Sequence, residues 1–88
     1  MALNHETRRR ILGLLRDGEM TAGAIAQALA RPRPGVSHHL GCLLSHGLIR
    51  FRQDGVNRYY ALEVRRTLAA WNAYVRRLSP ELATLEVP

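Results

Sequence analysis

The chain contains no lysine. All 13 of its basic residues are arginine, set against 7 acidic residues, which gives a formal net charge of +6 over 88 residues and a pI near 11.0. Cysteine is nearly as scarce. Cys42 alone excludes an internal disulfide framework and a multi-cysteine structural zinc site. No apolar run approaches the ~20 residues of a membrane span. His5, Glu6 and Arg8 to Arg10 stand where a signal peptide would begin its apolar stretch, so a cytoplasmic protein is expected. A nucleophile elbow, a glycine-rich phosphate loop and a motif of paired carboxylates are all missing, which argues against an enzyme. With 47% hydrophobic and 23% charged residues, the chain is a folding composition and not a disordered basic tail. One small domain fits the length. Such a domain buries only about 60% of its unfolded surface, so a partner subunit is expected.

The positive charge is concentrated. Residues 31–66 hold seven arginines (31, 33, 50, 52, 58, 65 and 66) against Asp54 and Glu63, whereas six arginines face five acids elsewhere. Clustering of this kind predicts a polyanionic partner. Arginine's planar fork suits phosphate and guanine, although a compositional bias of the genome would equally replace lysine by arginine.

Residues 5 to 16 read as a helix, with Asn4 or His5 as cap, Ile11, Leu12, Leu14 and Leu15 as apolar stripe, and Asp17-Gly18 as stop. Thr21 opens a second helix, 22–29, whose buried side is Ala24, Ile25, Ala28 and Leu29. Pro32 ends the helical run, and Pro34 is suited to the first position of a third helix that reaches Ser45 or His46, with Gly47 as left-handed cap. The short connection is a helix-turn-helix spacing. Leu48 to Gln53, the Asp54-Gly55 turn signal and Asn57 to Leu62 then form a basic β-hairpin in which Tyr59 and Tyr60 point to opposite faces, one to the core. The expected fold is mainly α with a two-stranded hairpin: a winged helix-turn-helix over residues 1–62 and a C-terminal dimerisation helix over 63–88.

In that last segment Val64, Leu68, Trp71, Val75, Leu78, Leu82 and Leu85 alternate at spacings of four and three, the seam of a helix packed on a partner helix. Ser79-Pro80 predicts a kink or a fresh start. The stripe could pack on its own domain. Its length and the central Trp71 favour a homodimer instead.

Thr7-Arg-Arg-Arg-Ile-Leu12, Met20-Thr-Ala-Gly-Ala-Ile-Ala26, Val36-Ser-His-His-Leu40, Gly47-Leu-Ile49 and Tyr59-Tyr-Ala-Leu62 follow one another in an order and spacing that resembles the ArsR/SmtB repressors. Within them the chain looks most like the SdpR-like autorepressors. The resemblance covers residues 2–62 and implies a homodimeric repressor on double-stranded DNA, binding an inverted-repeat operator, often in its own promoter. Departures are informative. The helix at 22–29 lacks the Cys-x-Cys of family metal sensors, and residues 63–88 contain neither histidine nor aspartate, so no metal and no cofactor is expected. The helix that usually precedes the Thr-Arg-Arg motif is reduced to about Met1 to Leu3, which places more of the dimerisation on the C-terminal helix.

At 100° per residue, Val36, Leu40, Leu43 and Leu44 share one side of the third helix, and Ser37, His38, Gly41 and Ser45 the other. A recognition helix presents its N-terminal residues to base edges. Arg33, Gly35, Ser37 and His38 are therefore the candidate base and phosphate readers, joined by Thr21 as helix cap and phosphate contact. In the wing, Arg50, Arg52, Asn57 and Arg58 are candidate backbone and minor-groove contacts. Leu68, Trp71, Val75 and Leu78 are the candidate dimer contacts. His39 reads as a structural histidine and Arg8 to Arg10 as helix-surface residues.

Two rival functions stay open. His38, Cys42 and His46 form an i, i+4, i+8 ladder that could bind a metal, or Cys42 could sense oxidants. The ladder spans about 12 Å, too far for one ion without a second chain. A winged helix used only for protein contact is the other rival, and it does not need the arginine cluster.

Overall fold

His5 starts the first helix: its Nδ1 accepts the Thr7 N–H at 3.1 Å, and α1 runs Glu6–Leu15 with Ile11, Leu12 and Leu15 buried. The computed structural model describes residue 3 and residues 5–78; the expected break at Pro80 and the seam positions Leu82 and Leu85 lie outside the described residues. After α1 come β1 (Met20–Thr21), α2 (Ala22–Leu29), α3 (Arg33–Ser45), β2 (Ile49–Asp54), β3 (Asn57–Leu62) and α4 (Val64–Leu78).

Thr21 caps α2 by accepting the Ala24 N–H at 3.1 Å. The helix ends before the prolines, at Ala30, which adopts φ +53° and returns its N–H to the Ala26 and Gln27 carbonyls. A left-handed alanine has no composition signal, because glycine is the residue that marks such a cap. Pro32 is the extended residue before α3, and the Val36 N–H reaches its carbonyl at 3.3 Å. That bond closes the first turn on Pro32, so Arg33, not Pro34, is the first helical residue. The third helix therefore starts one residue earlier than the sequence reading, whereas α2 keeps its expected span of 22–29 but buries Ala22, Ile25, Ala26 and Leu29 and leaves Ala24 and Ala28 exposed.

Gly47 closes α3 at φ +70°. Its N–H bonds the Leu44 carbonyl at 2.9 Å while the Leu48 N–H bonds the Leu43 carbonyl at 3.0 Å, the paired bonds of a Schellman cap. A side chain there would also meet Arg66, whose Nη1 lies 2.7 Å from the position a Cβ would take.

The hairpin acquires a third strand. β1 pairs antiparallel with β3 (Met20 with Tyr60, Thr21 with Tyr59), giving the order β1-β3-β2. Two residues are too few for an alternation pattern, so periodicity could not reveal β1. Gly55 and Val56 connect β2 to β3, with positive φ at Gly55 only, as a II′ hairpin requires of its first loop residue. Tyr60 is the core tyrosine, buried with Ile11, Ile25, Val36, Leu40, Leu43, Leu48 and Ile49.

α4 is tied to the end of α3 through one atom. The Leu48 carbonyl accepts both the Glu63 N–H (2.9 Å) and the Thr67 hydroxyl (2.8 Å). Ala70 and Tyr74 pack on the core, and the Arg9 guanidinium lies 5.1 Å from the Tyr74 ring centre. No residue of α4 is fully buried. Among the described residues, no helix is long and apolar enough to cross a membrane.

Candidate nucleic-acid interface

The exposed side of α3 carries Arg33, Gly35, Ser37, His38, Gly41 and Ser45, while Val36, Leu40 and Leu43 enter the core. Its first turn leaves backbone N–H groups without intrahelical acceptors, and Pro34 contributes none. The turn therefore offers Arg33 and the amides beside it at the positive end of the helix dipole. Thr21, delivered by β1, sits opposite. Between them the wing completes an open cleft lined by Thr21, Ala22, Arg33, Ser37, Val56, Asn57, Arg58 and Tyr60. Five sequence-selected residues (Thr21, Arg33, Ser37, Asn57 and Arg58) converge there. Gly35 and His38 share the exposed side of α3 but do not line the cleft.

Strand alternation divides the three wing arginines. Phe51 pairs with Tyr60 and Gln53 with Arg58, while Arg50 pairs with Ala61 and Arg52 with Tyr59. Since Tyr60 faces inward, Phe51 and Arg58 share its face, and Arg50 and Arg52 project from the reverse. The Arg58 guanidinium lies 4.0 Å from the Phe51 ring centre, and among the described residues it forms no ion pair. Phe51 and Val56 were not selected from sequence. The alternation that made Tyr60 a core candidate would have placed Phe51 beside it once the hairpin register was known. Val56, at the wing tip and 95% exposed, carried no pattern.

Arg50 bonds Glu63 Oε1 at 2.9 Å and the Leu62 carbonyl at 2.8 Å. Arg52 donates its Nε–H to both Glu19 oxygens at 3.0 Å, lies 3.8 Å from Asp54, and stacks 4.6 Å from the Tyr59 ring centre. Hydrogen bonding from Arg52 holds the Glu19 carboxyl below the usual carboxylate range, and the same contact raises the Arg52 guanidinium.

A second cluster joins α1 to α3. His39 accepts the Arg8 Nε–H at its Nδ1 (3.1 Å), and its ring centre lies 4.3 Å from that of His5 and 5.6 Å from that of His38. Burial first, then the neighbouring His5, Arg8, His38 and Arg31, push the His39 imidazole below its ordinary 6.5. The unfolded chain thus takes up this proton before the folded one does. The His39 contribution to stability is full above about 6.5 and is lost as pH falls through the lower folded value. Thermal melts from pH 7.5 to 5.5 should show a falling Tm for wild type and a shallower fall for His39→Gln, which keeps an acceptor for Arg8. Parallel slopes would assign the acid sensitivity elsewhere.

The ladder on α3 does not converge. Cys42 Sγ lies 3.8 Å from His46 Nδ1, but that nitrogen is 2.9 Å from the Cys42 carbonyl, and His38 stands edge-on to His39. Among the described residues, no group of three His, Cys, Asp or Glu side chains could hold a metal ion. On α4, Leu68, Trp71 and Leu78 are 38%, 41% and 63% exposed, and Val75 is half-buried, so the stripe faces outward.

Residues 3–51, more than half of the chain, match the family model described as a helix-turn-helix domain. The chain is 43% identical to the transcriptional repressor SdpR of Bacillus subtilis over 61 residues, which is 69% of this chain and 68% of that protein. A crystal structure described as a possible transcriptional regulator for arsenical resistance superposes with a TM-score of 0.74 at 30% identity, covering 98% of this chain and 94% of that one. The solution structure of a homodimeric winged helix-turn-helix DNA-binding domain from Mycobacterium bovis, a possible ArsR-family regulator, gives a TM-score of 0.72 at 32% identity over 98% and 82% of the two chains. With the motif order, the wing and the recognition helix in place, the chain belongs to the ArsR/SmtB family of winged helix-turn-helix, DNA-binding transcriptional regulators, and is not an enzyme.

Proposed function

We propose that this chain is a homodimeric repressor that occupies an inverted-repeat operator, with α3 in the major groove and the wing along the flanking backbone. The observation that carries the reading is the cleft in which Thr21, Arg33, Ser37, Asn57 and Arg58 meet. Ser37 and His38 read base edges from the exposed side of α3. Gly35 lets a phosphate approach the first turn, where Arg33 and the free amides receive it. Thr21 takes a neighbouring phosphate. Arg58, placed over the Phe51 ring, and Asn57 contact the flank of each half-site. Two such heads joined through Leu68, Trp71, Val75 and Leu78 match a two-fold operator. The reading needs neither metal nor cofactor: residues 22–29 contain no cysteine, and residues 63–88 no histidine or aspartate.

Fluorescence anisotropy against the protein's own upstream DNA and a shuffled copy, at two salt concentrations, tests it. Wild type should discriminate between the duplexes and respond steeply to salt. Arg58→Ala should weaken binding to both and flatten the log–log salt slope by about 0.9, the share of one phosphate contact. His38→Ala should lose discrimination on the order of tenfold, the low end of what one base contact supplies. Variants indistinguishable from wild type would overturn the assignment of faces. No binding at low salt would favour a protein-contact module, and release by zinc or peroxide would revive the Cys42 sensor.

A further inference from the structure

The wing arginines that turn away from the cleft are each held by a carboxylate from outside the hairpin: Arg50 by Glu63 and Arg52 by Glu19. We propose that the Glu19–Arg52 pair is a brace that sets the position of the wing, so that Arg52 is a positioning residue and not a DNA contact. The inference rests on the DNA reading above.

The sheet order is β1-β3-β2, so β3 is the middle strand. Glu19 immediately precedes β1 on one edge, and Arg52 lies in β2 on the other. Their ion pair spans the whole sheet, and the guanidinium crosses over Tyr59 of the middle strand. It bolts the outer strand of the wing to the segment that presents Thr21. The sheet joins the two edges only through β3, to which β2 is paired at six positions. β1 contributes only two residue pairs, and in β2 every residue after Ile49 is exposed. Two of the three guanidinium nitrogens, Nε and Nη2, are bonded to Glu19, and Nη1 lies 3.8 Å from Asp54. A phosphate arriving there would meet the repulsion of two carboxylates, Glu19 and Asp54.

The brace reverses the sign expected from charge alone. Removing an acid from a DNA-binding protein ordinarily strengthens binding and steepens its salt dependence. Glu19→Gln should instead lower affinity for the upstream duplex roughly two- to fivefold, the range such pairs supply, with no greater loss on shuffled DNA and a salt slope no steeper than wild type. Arg52→Lys keeps the charge but not the two-pronged grip, and should behave like Arg52→Ala. The double variant Glu19→Gln/Arg52→Ala should be no worse than either single one, and the swap Glu19→Arg/Arg52→Glu should recover part of the loss. Melting curves of each variant confirm that the fold is intact. Tighter, steeper binding by Glu19→Gln, wild-type behaviour of Arg52→Lys, or a slope flattened by about 0.9 in Arg52→Ala would overturn the brace. Failure of the wild type itself to discriminate would overturn the DNA reading instead, so the two failures are told apart in one titration series.

Discussion

Trp71→Ala should convert the proposed dimer to monomers at concentrations where wild type is paired. Trp71 is 41% exposed in the single chain, and its ring centre lies 5.6 Å from that of Tyr74 on the same helix. Leu68 and Leu78 extend the apolar stripe on either side. Central tryptophans in interfaces typically cost at least about 2 kcal/mol when truncated. A two-fold interface contains the position twice, so the loss is about 4 kcal/mol, on the order of a thousandfold in the dimer dissociation constant. Sedimentation equilibrium over a wide concentration range reads this directly. Affinity for a two-half-site duplex should fall with it, because each head then binds without the effective concentration supplied by its partner. Affinity for a single half-site should not. An unchanged association constant would move the interface off this stripe.

Leu43→Ala should cost more stability than any change on the exposed side of the same helix. Leu43 is 0% exposed, in one core with Ile25, Leu40 and Tyr60. Leucine truncation at such a site costs roughly 2–5 kcal/mol, from a total that is only about 5–15 kcal/mol for a domain. With a shift of about 4–8 °C per kcal/mol at this size, the Tm should fall by at least about 10 °C. Ser37→Ala, six residues earlier and exposed, should leave the Tm within a degree or two while altering DNA binding. Circular dichroism melts separate the two. Equal effects would mean that the helix is docked by another face.

Much of this was legible in the residues because most elements carry their own punctuation. Thr21 and Gly47 mark helix ends, and the apolar stripes of α1 and α3 give the faces that the structure shows. The misses have physical causes. β1 is too short to alternate, and on the alanine-rich α2 the small side chains do not mark the buried face, so Ala22 and Ala26 and not Ala24 and Ala28 enter the core. Arg50, Arg52 and Arg58 look equivalent in sequence because all three flank one turn. Their division between two faces depends on register, which is fixed only by the pairing of Phe51 with Tyr60. That Glu19 would meet Arg52 is a contact across 33 residues, invisible to any local pattern.

The doubly bonded Leu48 carbonyl has a mechanical consequence. Because Glu63 and Thr67 of the α4 junction both fasten to the residue after the Gly47 cap, α4, the proposed pairing helix, and α3, the proposed reading helix, meet at one bonded joint. In the proposed two-fold assembly built on α4, that joint would set the distance between the two reading ends like the jaws of a fixed gauge. Such a gauge accepts half-sites about one helical turn apart, or a multiple of it. One inserted base pair, which both lengthens and rotates the far half-site, would put the second jaw out of the groove.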